Sequence, residues 1–431
     1  MGFDGVTVSG SKNRIGKGFI VVVNGQQLNR FESWTISRSL DVVPMSFSLT
    51  YAYGQGEAES IFSKVGKSSS SGVLAVGSRV EFYLDGLKLF TGYVDSTDEG
   101  VEHGNHMLYV SGRSLAQVVV DGTTIKPAGQ IPTAVTTLSQ LAQYMVTNDN
   151  GEKLVEIIDK TGGDTPHPLV GLGQIDLTTR TYDYLAMMAQ YEGKIIYDDQ
   201  YGRLVIDSVA SGSSTTIGFQ DKLVKRLFRH QSNLGRFQKY QVIVNAYGGQ
   251  AGVNNSVFAI PPVSDPTPSQ IPNGRILTFV SQASYPTDGN TNGLIEFQTA
   301  LAHVTANRNW GRGDVITATL AGHKNPKTNK PWELNSLLKI DFSQQASAPQ
   351  MSEEYVISDI QFVLDRGTKE TSLTLVRKES LQVEPLTITP PIAGVNNATT
   401  QGIDSPATKQ GNGQLPVTDQ PPPNAKPQGG K

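Results

Sequence analysis

Apolar and polar residues alternate along much of this chain, and pairs suited to tight turns end the runs. Phe19 to Val23 is a short apolar run closed by Asn24-Gly25, and Val80 to Leu84 is closed by Asp85-Gly86. Both pairs tolerate the positive φ that a two-residue hairpin demands. Between them Trp34, Ile36, Met45, Phe47, Leu49 and Tyr51 alternate with polar neighbours, as strands buried on one face do. Strand patterning resumes from Leu89 to Val94 and from Met107 to Val110, so the first region reads as a small barrel or sandwich. The 44 glycines and 23 prolines among 431 residues favour turns over long helices.

The middle changes period. Ala134, Leu138, Leu141, Ala142 and Met145 fall at helical spacing, as do Tyr182, Leu185, Ala186, Met188 and Ala189. Lys194 to Tyr197, a turn from Asp198 to Gly202, and Leu204-Val205-Ile206 then complete a helix-plus-hairpin unit. Strands return from Ile217, clearest at Tyr240 to Val244. A proline-rich excursion follows (Pro261, Pro262, Pro266, Pro268, Pro272), and then a helix around Phe297 to Asn307. The organisation expected is an N-terminal arm (1–18), a first β-domain (19–124), an inserted α/β domain (125–215) and a second β-domain (216–388). The last of these carries a helical and proline-rich insertion at 250–310. Residues 389–431, poor in anything to bury, read as a flexible tail.

Two segments share a plan. Residues 80–115 and 337–381 each run strand, turn or loop, long hairpin, and end in a serine–leucine step (Ser114-Leu115, Ser380-Leu381). If the echo is a duplication, the chain holds two related β-domains separated by an inserted one.

Composition removes several chemistries. With no cysteine, disulfides, thiol catalysis and thiolate metal sites are excluded. Lys plus Arg is 36 against 39 Asp plus Glu, a net charge of -3, which gives no general pull toward nucleic acid or anionic membrane. No apolar run nears the roughly 18 residues of a membrane span. Gly66-Lys67-Ser68 lacks the first glycine of a phosphate loop, since position 61 is Ile, and no G-x-S-x-G elbow occurs. His103 and His106 beside Glu102 could reach one metal, but no third ligand accompanies them. His167, His230, His303 and His323 are scattered. Arg312-Gly313-Asp314 reads as a helix end turning into a strand. The neighbours Asp198-Asp199 and Glu353-Glu354 read as solvated turn charges. Lys222, Lys225, Arg226, Arg229, Arg236 and Lys239 form the best local charge cluster, with Phe219, Phe228, Phe237 and Tyr240 interleaved. An acidic protein surface suits that cluster better than single-stranded nucleic acid. No catalytic, cofactor-binding or metal-binding residue is assigned, and no enzyme activity is expected.

Several of these segments together resemble one family. Trp34-Thr35-Ile36-Ser37-Arg38-Ser39-Leu40-Asp41 followed by Ser46-Phe47-Ser48-Leu49 resembles the opening hairpin of Mu-like phage baseplate hub proteins. Leu89 to Asp95 with Ser111-Gly112-Arg113-Ser114-Leu115 is similar to the next block. Lys330-Pro331-Trp332-Glu333-Leu334-Asn335, Ile340-Asp341 and Tyr355 to Asp359 resemble the C-terminal barrel, and Thr181 to Val205 the helix-and-hairpin insertion. The serine-rich loop near Ser68, the prolines near Pro266 and the tail beyond Pro390 depart from the pattern.

The resemblance implies a mainly β fold with an α/β insertion, two related β-barrels per chain, and three chains in a pseudo-sixfold ring like those of the T-even hub and the type VI spike trunk. It implies a structural role in a contractile tail, joining a trimeric central spike to a sixfold tail tube and supporting tail assembly and envelope penetration. The partners implied are two further copies, the spike, the tube and adjacent baseplate proteins, extending to the tape-measure protein. The genome would pass through the lumen without specific binding, and no stable membrane insertion is implied. The location implied is the virion, after synthesis in the host cytoplasm. Two other readings stand beside this one: a tail-associated glycan- or receptor-binding module, and a cell-wall hydrolase. The 3 tryptophans are few for a sugar platform, and Trp34 and Trp332 are expected to be core anchors.

Overall fold

The computed structural model describes residues 18–28, 31–53, 74–102, 105–123, 131–132, 134–148, 150–162, 179–218, 222–246, 256–259, 261–280, 291–341 and 354–381. The chain divides into residues 1–390 and 391–431, and the second part lies wholly outside the described residues. So do residues 1–17 of the expected arm and the 63–72 loop.

The turn pairs act as read. Asn24 and Gly25 take φ of 47° and 81°, Asp85 and Gly86 of 49° and 82°. They close the hairpins β1 (Phe19–Val23) to β2 (Gln26–Leu28) and β5 (Arg79–Leu84) to β6 (Leu87–Glu102). β3 (Ser33–Ser39), β4 (Ser46–Tyr53) and β7 (Asn105–Ser114) complete the N-terminal strands. The C-terminal strands are β11 (Ser214–Gly218), β12 (Val224–Gln231), β17 (Asp314–Ala321), β18 (Leu337–Asp341), β19 (Glu354–Asp365) and β20 (Thr368–Val376).

Among the described residues these strands join in one sheet rather than in two closed barrels. β3 pairs with β19 in antiparallel register from Ser39↔Asp359 to Ser33↔Asp365, joining both sets into one 13-stranded sheet. Its order is β12-β17-β20-β19-β3-β4-β7-β6-β5-β1-β2, with β11 and β18 attached through β19. Among the described residues no ladder closes either half on itself. Ile36 on β3 and Phe362 on β19 are register partners with no exposure, so the two halves share one core. The mainly β class holds, and within the 13-stranded sheet every described pair is antiparallel except β11 on β18.

The N-terminal half curls round aromatic rings. Phe19 stacks on Trp34 at 3.8 Å, and Phe82 lies 4.9 Å from Phe47 and 5.5 Å from Phe90. Two glycines let those rings in. A Cβ on Gly112 would sit 2.0 Å from the Tyr93 carbonyl and 2.6 Å from the Phe47 ring, and one on Gly92 2.1 Å from the Arg113 carbonyl. Trp34 and Trp332 are each 1% exposed, so both are core anchors.

The helix-plus-hairpin unit is a small sheet, β8 (Ile157–Asp159), β10 (Leu204–Ser208) and β9 (Lys194–Asp198), under α2 (Leu138–Met145) and α3 (Thr181–Tyr191). A shorter helix, α1 (Gln117–Asp121), precedes it. Thr137 caps α2 by accepting from the Gln140 N–H. Leu138, Leu141, Ala142 and Met145 of α2 and Leu185, Met188 and Ala189 of α3 are buried, whereas Tyr182 and Ala186 are half-buried and Ala134 lies exposed before α2. The proline-rich stretch is part of a second small sheet. β13 (Lys239–Ala246) pairs with β14 (Ser256–Ala259), β15 (Val263–Ser264) and β16 (Ile276–Val280). Against it lies α4 (Thr291–Arg312), longer than the spacing of Phe297, Leu301 and Val304 indicated, burying Ala302 and Ala306 on Tyr240 and Val242. No helix among the described residues is long and apolar enough to cross a membrane.

Candidate functional site: a polar sheet face

The features singled out for chemistry disperse. Gly66-Lys67-Ser68, His103, His167, Phe219 and Glu353 lie outside the described residues, and nothing is described of the His106 side chain. Among the described residues no group of three His, Asp or Glu could hold a metal. His323 is buried, bonded through Nε2 to the Val363 carbonyl and packed 5.0 Å from the Trp34 ring. Glu354 is exposed and accepts from Ser214 Oγ at 2.9 Å. Arg312-Gly313-Asp314 does turn a helix end into a strand. The Asp314 carboxylate binds Arg229 at 2.7 Å and Arg377 at 3.1 Å, which holds it below the usual carboxylate range despite partial burial.

Asp198 and Asp199 overturn their reading as solvated turn charges. Asp198 is fully buried, and its Oδ2 accepts from the Met45 N–H at 2.8 Å and from Ser114 Oγ. Burial pushes its carboxyl up to about 6, against the opposing pull of those bonds and of Arg38. The Arg38 guanidinium is buried as well, and desolvation lowers it. Asp199 is held by Arg203 Nε at 2.8 Å and by the Tyr201 and Arg203 N–H groups. Asp198 is a tie-point that fastens β9 to the central sheet, and Asp199 closes the turn that follows it. Sequence hid this because Met45 and Ser114 are remote along the chain.

The basic cluster divides too. Arg236 is buried, paired at 2.5 Å with Asp265, whose side chain is 0% exposed. Lys225 binds Glu370 at 2.7 Å and Arg229 binds Asp314, whereas Lys222 and Arg226 are exposed on or beside β12. A cleft of about 690 Å³ lies between α3 and α4. Arg308 and Arg312 both reach Asp41 at its rim, and Tyr182, Met187 and Lys194 line it.

The feature of largest extent is a sheet face. Arg226, Thr319, Ser372, Gln361, Ser37, Ser46, Arg113 and Tyr93 are successive register partners across β12, β17, β20, β19, β3, β4, β7 and β6. A neighbouring row runs Val363, Thr35, Ser48, Ser111, Ser96, with the last two hydroxyls 2.7 Å apart. Side chains alternate across a strand, so the next row, Thr371, Phe362, Ile36, Phe47, Gly112, Val94, points into the core. Ser46, Ser48, Ser96 and Gln361 are exposed. Arg113 is neutralised by Asp95 at 2.6 Å and Asp121 at 2.8 Å. The central rows of the face are thus short-chained and hydroxyl-rich, and the face crosses both halves without a break. Charge that no ion pair neutralises among the described residues stands at its margins (Arg226 on β12, Asp98 on β6, Asp365 at the end of β19).

Residues 19–114 match the family model described as Mu phage baseplate assembly protein GpP-like, N-terminal. No curated protein sequence matches the chain. Among solved structures, the 43 kDa tail protein of prophage MuSo2 from Shewanella oneidensis is similar with a TM-score of 0.65 at 22% identity, over 85% of this chain and 100% of that one. The tail protein from Neisseria meningitidis MC58 is similar with a TM-score of 0.61 at 17% identity, over 84% and 96%. The matched residues hold β1 to β7, the Trp34 and Phe47 hairpin, and the glycines at 92 and 112 on which the aromatic core depends. Residues 19–114 are thus similar to the N-terminal domain of Mu phage baseplate assembly protein GpP-like proteins, and the chain has the fold of these prophage tail proteins.

Proposed function

We propose that this chain is a non-enzymatic structural hub of a contractile tail baseplate. Three copies form a ring that seats a central spike on one side and a tail tube on the other, with the genome passing through the middle. The reading rests on the family match over residues 19–114, and the observation that carries it is the polar face. Affinity for a nucleic-acid backbone comes chiefly from lysines and arginines that displace counterions. A broad face of serine and threonine, with Arg113 already paired and the exposed Arg226 confined to the β12 edge, offers a passing polyanion little to hold. The burial of Trp34 and Trp332 weighs against a sugar-binding platform, which needs exposed aromatic faces.

On this reading the hydroxyl face lines the lumen. With Ser48→Cys in the assembled protein, a small maleimide reacts and a bulky polyethylene-glycol maleimide does not, while in the dissociated chain both react. Equal reaction with both reagents in the assembly places the face outside and contradicts the proposal.

A further inference from the structure

We infer that the ring closes by strand addition between two unlike edges: β12 of one copy on the distal half of β6 of the next. This rests on the ring proposed above and names the surfaces that build it.

Both edges are open. Among the described residues β12 pairs only with β17, so its other side presents unpaired backbone groups. Among the described residues β6 pairs with β5 only as far as Tyr93, and no other strand lies on the β5-facing side of Asp95–Glu102. That stretch is as long as the 8 residues of β12. Long open edges are templates for pairing with another chain.

Their directions fit. From β12 to β6 there are eight strands, and every neighbouring pair is antiparallel. β12 and β6 therefore run oppositely. A copy rotated about a ring axis brings its β12 antiparallel to the first copy's β6, and the ladder continues with its alternation intact. The contact is heterologous, joining unlike patches head to tail, which is the type that generates rings when the rotation closes.

Their chemistry fits as well. Asp98 and Glu99 are exposed on the β6 edge, and no cation pairs with either among the described residues. Arg226 is exposed on the β12 edge, Lys222 lies just before the strand, and Phe228, two residues after Arg226, is 65% exposed. Arg226 and Phe228 share the polar face with Ser96 and Asp98, so strand addition sets Arg226 on the same face as Asp98 and covers the phenyl ring. A basic strand carrying an uncovered aromatic ring at one end, and an acidic open strand at the other, is the complementarity that a second copy satisfies.

The test is a charge swap read as mass in solution by light scattering. Asp98→Lys with Glu99→Lys, and separately Lys222→Glu with Arg226→Glu, each raise the concentration for half-assembly at least tenfold, with the monomer's circular dichroism unchanged. All four substitutions in one chain restore assembly. If the single-edge variants assemble like the parent, or the fourfold swap fails to restore assembly, the edge pairing is overturned while the ring stands. If the parent chain is a monomer at every concentration, the ring reading falls and the edge pairing with it.

Discussion

The two halves of the central sheet use one plan with different core chemistry. In the β6–β7 hairpin the register shifts between Val94 and Ser96, just after Val94 pairs with Gly112. In the β19–β20 hairpin it shifts between Ile357 and Asp359, just after Ile357 pairs with Leu375. The bulge therefore falls at the same step of both hairpins, and the inward residue before it is glycine in one and leucine in the other. Gly112 makes room for the Phe47 ring, and the N-terminal half fills with Phe19, Trp34, Phe82 and Phe90. Leu375 fills its own space, and the C-terminal half buries Leu320, Leu338, Ile340 and Leu373 along with Trp332. A sheet can keep its bulge and register while large rings over glycine are exchanged for branched aliphatics over one another, because total volume and patterning are what a core requires.

The contrast is broken most severely at Gly112. Gly112→Val puts a methine within 2.0 Å of the Tyr93 carbonyl, a backbone atom that cannot step aside. The expected loss exceeds about 4 kcal/mol, measured by urea unfolding. At the corresponding position Leu375→Ala only opens a cavity and costs about 2–5 kcal/mol. Equal losses at the two sites would remove the distinction.

The tryptophans sharpen it. Trp34→Ala and Trp332→Ala should each cost about 3–5 kcal/mol, since both rings are buried to the same degree. Loss of Trp34 also takes away the stack under Phe19, so near-ultraviolet circular dichroism should change more for Trp34→Ala than for Trp332→Ala.

A smaller effect comes from the join between β9 and the N-terminal half. The Asp198 carboxyl stands at about 6 in the fold against 3.8 when free, so the native state holds its proton more tightly than the unfolded chain. That contribution is fully present below pH 3.8 and lost as pH rises through 6. It amounts to about 3 kcal/mol at most. Asp198→Asn should remove this slope from the melting temperature between pH 4 and 7. An unchanged slope would show that Asp198 is not the group titrating. Asp314 and Glu370, whose carboxyls are held below their usual range, act in the opposite sense, and their support is lost in acid. Smallest is Lys225→Ala, which breaks a half-exposed pair with Glu370 and should cost less than about 1 kcal/mol by urea titration.

Local features were legible before the fold was seen. Asn24-Gly25 and Asp85-Gly86 announced hairpins because their φ requirement is a property of the pair. The stripes of α2 and α3 were readable because Leu138, Leu141, Ala142 and Met145, and Leu185, Met188 and Ala189, each bury one helix face, though Ala134 lies exposed before α2. Joining β3 to β19 was not, since alternation states which face is buried and says nothing of which distant strand lies beside it. The polar face shows the same divide: each serine was visible as the polar half of an alternation, but the unbroken rows exist only through that long-range register. Asp198 misled for a related reason, because adjacent carboxylates in a turn look solvated until remote partners bury one of them.

The central claim is a threefold ring with the hydroxyl face inward, and the absolute mass of the purified chain tests it most directly. One chain is 46.4 kDa. Light scattering over a range of concentrations should converge on three times that mass. A particle that stays at 46.4 kDa at every concentration, or settles at twice that value, would contradict the account.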